Sequence, residues 1–327
     1  MKALLLHEPN TWRSMRLEDV NIPTLRASEV LIEGEYAGLN PVDYKTATNG
    51  NPNWSYPHIL GLDVAGTIKA VADDVTDVRI GDRVLYHGNW NEWGGYAEYT
   101  RAKAHMVVPI PDGVSTKEAA ALPTAGFTAY QAIFEKLPMN AIDTVLIHAG
   151  AGGVGGFAIQ LAKSLGKRVI TTASARNHKW VKQLGADEAI DYNTEDWQQR
   201  VMELTDGHGV NAVIDPVGRE TAIASLHVIA YNGHLVHIAG APEPGIIKPF
   251  TRVISYHEVA LNAIHHQQDR ISEANIVRIG SHMLHLLEAK EISSMIQETI
   301  AFADVPKKLV ELSERHVVGK IIADLKA

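Results

Sequence analysis

The chain has 327 residues, 46% of them hydrophobic and 21% charged, an ordinary globular composition long enough for two domains. Its formal net charge of -8 argues against nonspecific binding to nucleic acid or anionic membrane, and the lack of cysteine removes disulfides, a thiolate nucleophile and any Cys-ligated zinc. No apolar run approaches a membrane span and the opening MKALLLHEPNTWRS does not fit a signal peptide, so a cytoplasmic protein is expected.

In chain order, the first third reads as strands. Val30, Ile32 and Tyr36 lie on alternate positions in SEVLIEGEY, and GTIKAVADDV, DRVLYHG, GGYAEYTRA and HMVVPIP continue the pattern between Gly, Pro and Asp turns. This predicts an antiparallel, barrel-like domain over 1–123. A helix around Ala125 to Glu135 leads out of it. From about Thr124 strands and helices alternate, with strands centred on Ile147, Ile170, Ala189, Val213, Val236 and Leu261, as in a doubly wound parallel sheet over 124–267. The late strand EVALNAIHH is expected at the sheet edge, a place to pair with a second copy. Beyond it, Ile276, Ile279, Met283, Leu286 and Leu287 share one helical face, Asp304 and Pro306 start a further helix, and HVVGKIIADL closes as a strand. The segment 268–327 is too short to stand alone and is expected to complete the first domain.

The most informative stretch is DTVLIHAGAGGVGGFAIQLAK, from Asp143. The apolar run Val145, Leu146, Ile147 suits a buried parallel strand. Gly150, Gly152 and Gly155 follow with G-x-G-x-x-G spacing, with Gly153 and Val154 between them, and then apolar residues recur at helical spacing. Strand before and helix after lift the motif above a chance Gly-rich turn and predict dinucleotide binding. Gly150 serves the tight turn, Gly152 the approach of a pyrophosphate and Gly155 helix–strand packing. The helix N-terminus then offers free N–H groups and a partial positive charge to the phosphates.

NAD-binding versions usually carry an acid about 20 residues on, for the ribose hydroxyls. Here no acid follows Gly155 until Asp187, and Ser174, Arg176, His178 and Lys179 stand in its place. Such a cluster attracts a 2′-phosphate. Two charge-assisted bonds at about 1.5 kcal/mol each would give roughly 100-fold preference for NADPH over NADH. Alternatively, Arg176 and Lys179 are solvated charges at a helix start, where the dipole slightly disfavours them.

AGLNPVDYK at 37–45, PHILGLDVAGTI at 57–68, GDRV at 81–84, GGYAEY at 94–99, AALPTAGFTAY at 120–130, the glycine loop and VVGKII at 317–322 together resemble the medium-chain dehydrogenase/reductase superfamily. The match is best to its zinc-independent, quinone-oxidoreductase-like branch. That resemblance implies a GroES-like catalytic domain, a Rossmann domain, NADPH and a homodimer. It implies Asn40 and Thr128 near the nicotinamide, and Lys179 and Tyr192 near the 2′-phosphate. In the zinc alcohol dehydrogenases of the superfamily a Cys stands at the position of Asn40, a His at that of Leu62 beside the acid Asp63, and a second ligand at that of Thr124. Leu62 has no donor atom, and a catalytic zinc needs three protein ligands. His282 with His285, or His265 with His266, read more simply as solvated histidines than as ligands.

Without a Lewis acid, acceptors that spread negative charge by themselves, quinones and α,β-unsaturated carbonyls, fit better than simple ketones. Asn40, Tyr44 and Thr128 are candidate catalytic donors to the developing oxyanion, and Tyr44 or Tyr56 could deliver the proton. Each has a plainer alternative. Asn40 before Pro41 and Asp43 is also a helix N-cap arrangement, and tyrosines are commonly half-buried packing residues. Trp90 and Trp93 could wall an apolar pocket or cover the barrel rim. An NADPH-binding regulatory or structural protein with little turnover stays open as a second reading.

Overall fold

The computed structural model describes residues 1–267, 269–315 and 317–327. The chain divides into two compact units, residues 1–127 with 261–327, and residues 128–260.

In the first unit the long strand Glu29–Gly38 is the organiser. It pairs antiparallel with Asp63–Val71, with Tyr99–Lys103 and with the late strand Lys320–Asp324. Its register places Gly38 opposite both Asp63 and Ile322. Side chains alternate along it, with Val30 and Ile32 fully buried, as period-two patterning requires. Helix Pro41–Asn49 comes directly after it, capped at its N-terminus by Asn40, whose N–H donates to Oδ2 of Asp43 at 2.8 Å. The 19-residue helix Arg270–Glu288 buries Ile276, Ile279, Met283, Leu286 and Leu287 along one face. Helix Val305–Ser313 begins after Asp304, with Pro306 in its first turn.

The second unit is built on a parallel sheet. Among the described residues its order is Glu188–Ile190, Arg168–Thr172, Thr144–Ile147, Val210–Asp215, Ile229–His237, Ser255–Glu258. In chain numbering this is 3-2-1-4-5-6, the doubly wound Rossmann order. Leu146, Ile170, Val213 and Leu235 are fully buried in it, as a sheet covered on both faces requires. The edge strand differs from expectation. Leu261 lies in a 3₁₀ turn, Leu261–Ala263, and most of EVALNAIHH is turn and short helix. The edge is Ser255–Glu258, whose sequence SYHE has little apolar signal, in keeping with the partial exposure of Ser255 and Tyr256. Among the described residues no helix is long and apolar enough to cross a membrane.

Candidate active site

The glycine loop succeeds strand Thr144–Ile147, on the strand next to the point where the sheet order reverses. Helix Gly153–Ser164 starts inside it, with Gly152 at its N-cap, Gly153, Val154 and Gly155 in its first turn, and no side-chain cap. The three motif glycines differ in why a side chain is absent. A Cβ at Gly150 would run into Oγ1 of Thr171, and one at Gly155 into the Ala149 carbonyl. At Gly152 the only neighbour among the described residues is the Ala149 oxygen at 3.4 Å, ordinary contact. The fold itself needs Gly150 and Gly155. Among the described residues nothing claims the space at Gly152, which lies at a helix N-terminus without a side-chain cap, a place suited to an anion.

The loop after Thr172 carries the basic cluster. Ser174 Oγ lies 3.0 Å from the Tyr192 hydroxyl, which joins two residues read separately in the sequence. Arg176, in the 3₁₀ turn Ala175–Asn177, and Lys179, in helix His178–Gln183, are both exposed. Among the described residues their side chains have no acid or hydrogen-bond partner. His178 leaves the cluster, since its Nε2 faces the Ala173 carbonyl at 3.1 Å. Thr128 is buried in the helical segment that opens the second unit, and its hydroxyl carries no hydrogen bond among the described residues. These residues suit a dinucleotide with a 2′-phosphate.

In the first unit the Asn40 side chain is fully committed. Its Nδ2 donates to Oδ2 of Asp63 at 2.8 Å and to the Gly38 carbonyl at 3.4 Å, and its Oδ1 accepts from the Lys320 ammonium at 2.7 Å. Lys320 places its remaining protons on Asp63 Oδ2 at 3.2 Å and the Leu39 carbonyl at 3.3 Å. The other Asp63 oxygen accepts from Thr124, from N–H at 2.8 Å and from Oγ1 at 2.5 Å. Asn40, Asp63 and Lys320 are each at most 2% exposed. Lys320 is invisible as a site residue in the sequence, since its partners lie 280 and 257 positions away.

The zinc expected of dehydrogenase relatives does not fit this donor set. Each Asp63 oxygen already accepts two hydrogen bonds, the Asn40 oxygen accepts one from an ammonium that sits among them, and Leu62 lines the neighbouring cavity with carbon only. That cavity is also walled by Asp43, Trp54, His58 and Trp90. The His58 imidazole stacks on Trp54 at 4.1 Å, and Trp54 Nε1 donates to the Trp90 carbonyl. Burial holds His58 down at about 4, so it is neutral at pH 7. Burial pushes Asp43 up to about 7, against the opposing bonds from the Tyr96 hydroxyl and the Asn40 N–H. Tyr44 does not line this cavity. Its ring packs on Trp12 at 5.7 Å between centroids. Tyr56 buries its hydroxyl with no hydrogen-bond partner among the described residues, and Trp93 lines a different cleft.

Two family models match the chain, the alcohol dehydrogenase GroES-like domain over residues 26–112 and the zinc-binding dehydrogenase domain over residues 153–276. A quinone oxidoreductase of Pseudomonas aeruginosa is 31% identical over 90% of both chains. The chain belongs to the medium-chain dehydrogenase/reductase superfamily, in its quinone-oxidoreductase-like branch. It is an oxidoreductase by that membership. Solved members of the branch share the whole architecture. The Pseudomonas syringae quinone oxidoreductase superposes with a TM-score of 0.90 at 29% identity, covering 99% of each chain. The Escherichia coli quinone oxidoreductase, solved in complex with NADPH, gives 0.87 at 25% identity, covering 99% of this chain and 100% of that one.

Proposed function

We propose that the protein transfers hydride from NADPH to a quinone or another conjugated carbonyl without a metal. The observation that carries this reading is the Lys320 ammonium tied to Asn40 and Asp63, which fills the polar positions a metal would need. The free Arg176 and Lys179, the Ser174–Tyr192 pair and the unclaimed space at Gly152 support the choice of NADPH, as do the complexes of two relatives with it. NADPH supplies the hydride when bound. The protein's share is to seat the pyrophosphate on Gly152, Gly153, Val154 and Gly155, to hold the 2′-phosphate with Arg176, Lys179, Ser174 and Tyr192, and to stabilise charge on the acceptor.

For that last task Asn40 acts as scaffold, because its amide protons are spent inside the protein. We propose the Thr128 hydroxyl as a donor, since it carries no hydrogen bond among the described residues, and not Tyr44, whose ring packs on Trp12 outside the cavity of the first unit. Trp54, His58 and Trp90 wall a small cavity beside Leu62, with Trp54 and His58 stacked on each other. We further propose a cytoplasmic homodimer paired through the exposed edge of strand Ser255–Glu258, since an uncovered edge is a liability. Sedimentation at micromolar concentration tests this, and a monomer alone removes it.

The deciding experiment is NADPH consumption with a panel of quinones, enals, enones and saturated ketones, with and without chelator. Turnover is expected with the conjugated acceptors, unchanged by chelation, and with almost no oxidation of saturated alcohols by NADP. Loss of activity on chelation, or stoichiometric zinc by elemental analysis, overturns the metal-free reading.

A further inference from the structure

The glycine loop starts from a constrained residue. Ala149 has φ of 51°, a left-handed conformation that non-glycine residues seldom adopt. Its N–H donates to Thr172 Oγ1 at 3.2 Å. Thr172 Oγ1 lies 3.0 Å from His148 Nδ1, His148 Nε2 lies 2.9 Å from Ser225 Oγ, and Ser225 Oγ donates to the Thr221 carbonyl at 2.7 Å. The Thr172 carbonyl accepts from the Gly150 N–H at 3.1 Å, so Thr172 grips the first two residues of the loop. His148, Thr172 and Ser225 are all buried, and the Trp197 ring closes on the His148 imidazole edge-on at 4.8 Å.

Only one arrangement gives every proton an acceptor. The Ser225 proton goes to Thr221, so Ser225 Oγ must accept from His148 Nε2–H. His148 Nδ1 is then bare and accepts the Thr172 proton. Thr172 Oγ1 is left with lone pairs for Ala149 N–H. The imidazole is therefore neutral with its proton on Nε2, in keeping with burial that holds its pKa down at about 3. A threonine hydroxyl alone is free to turn its proton toward Ala149 and lose that bond. His148 prevents the turn.

We propose that His148 is a positioning residue for the dinucleotide, fixing the Thr172 hydroxyl and through it the Ala149–Gly152 turn that receives the pyrophosphate. This rests on the NADPH reading above. The test titrates wild type, His148→Phe, His148→Gln and Thr172→Val with two probes, NADPH and adenosine 2′-monophosphate, which has the 2′-phosphate but no pyrophosphate. His148→Phe and Thr172→Val are each expected to raise the NADPH Kd at least tenfold and to leave the Kd of adenosine 2′-monophosphate within twofold. The double variant should be no worse than either single one, because both break the same chain. His148→Gln, which keeps one acceptor and one donor, should recover part of the loss. Unchanged NADPH affinity in His148→Phe overturns the proposal, and so does equal weakening of both probes, which would mean general damage to the unit. Should His148→Phe not fold, Thr172→Val and His148→Gln decide by the same split. If wild type itself fails to bind NADPH, the dinucleotide reading falls instead.

Discussion

Beneath the glycine loop, the second unit buries a string of neutral groups, in which Thr172, His148 and Ser225 pass single hydrogen bonds from one to the next. Beneath Asn40, the first unit buries formal charges, the Lys320 ammonium against the Asp63 carboxylate. Each arrangement holds a turn of its own unit. They differ in the cost of losing one member. A broken neutral link forfeits a bond worth about 1 kcal/mol net, whereas a stripped ion pair leaves an uncompensated charge in the core. The neutral string is suited to adjusting a loop, and the ion pair to fixing a scaffold.

The sharpest way to break this contrast is Lys320→Met. Unfolding in urea should show a loss of about 3–5 kcal/mol, much of it recovered when Asp63→Asn is added. A loss below about 1 kcal/mol would mean that the pair is hydrated and the contrast false.

The second measurement uses pH. A carboxyl raised from 3.8 to about 7, as at Asp43, favours the folded state fully below pH 3.8 and loses that contribution as pH rises toward 7. A histidine depressed from 6.5 to about 3, as at His148, does the reverse, contributing above pH 6.5 and losing it as pH falls toward 3. His58, His87 and His265 in the first unit act in the same sense as His148, and Asp215 in the second, raised to about 6, in the same sense as Asp43. Asp43→Asn should therefore gain stability relative to wild type from pH 4 to 7, by up to about 4 kcal/mol at the limit of a three-unit shift. A flat difference curve would show that Asp43 is ionised throughout.

The third sets unpaired surface cations against the buried one. Replacing Arg176 and Lys179 by Ala should weaken NADPH binding about 100-fold, roughly 3 kcal/mol, and leave NADH almost unchanged. Tryptophan quenching measures both, and thermal stability should hardly move. Equal loss for the two nucleotides would remove the 2′-phosphate assignment. The smallest effect is the stability cost of Gly152→Ala, about 1 kcal/mol or less at an N-cap, beside a larger cost for Gly150→Ala, where Thr171 must shift. NADPH binding should fail in the milder of the two.

Legibility in the sequence depends on the distance between partners. Strand, glycine loop and helix lie within one short stretch from Asp143, and the alternation of strands and helices predicts the doubly wound parallel sheet the structure has, though not its strand order. The edge strand lies elsewhere than the apolar pattern predicts, because Ser255–Glu258 is half exposed and carries little apolar signal, while the apolar EVALNAIHH packs as turn and helix. Leu62 and Asn40 are readable as departures from a ligand set, but the cation among them is not, because only the strand pairing of Gly38 with Ile322 brings Lys320 there. His148 reads as one polar residue ending an apolar strand. Its meaning depends on Thr172 and Ser225, which come from a different strand and a different helix.

The ion pair also sets an order of events during synthesis. Asp63 leaves the ribosome 257 residues before Lys320, a wait of about 13–50 s at 5–20 residues per second. Through that interval the carboxylate has no ammonium to meet, and strand Glu29–Gly38 lacks its neighbour Lys320–Asp324. Residues 128–260 form a continuous unit and can finish folding while the first unit is still open. The nascent chain is thus built from the middle outward, and the half that emerges first is the half completed last.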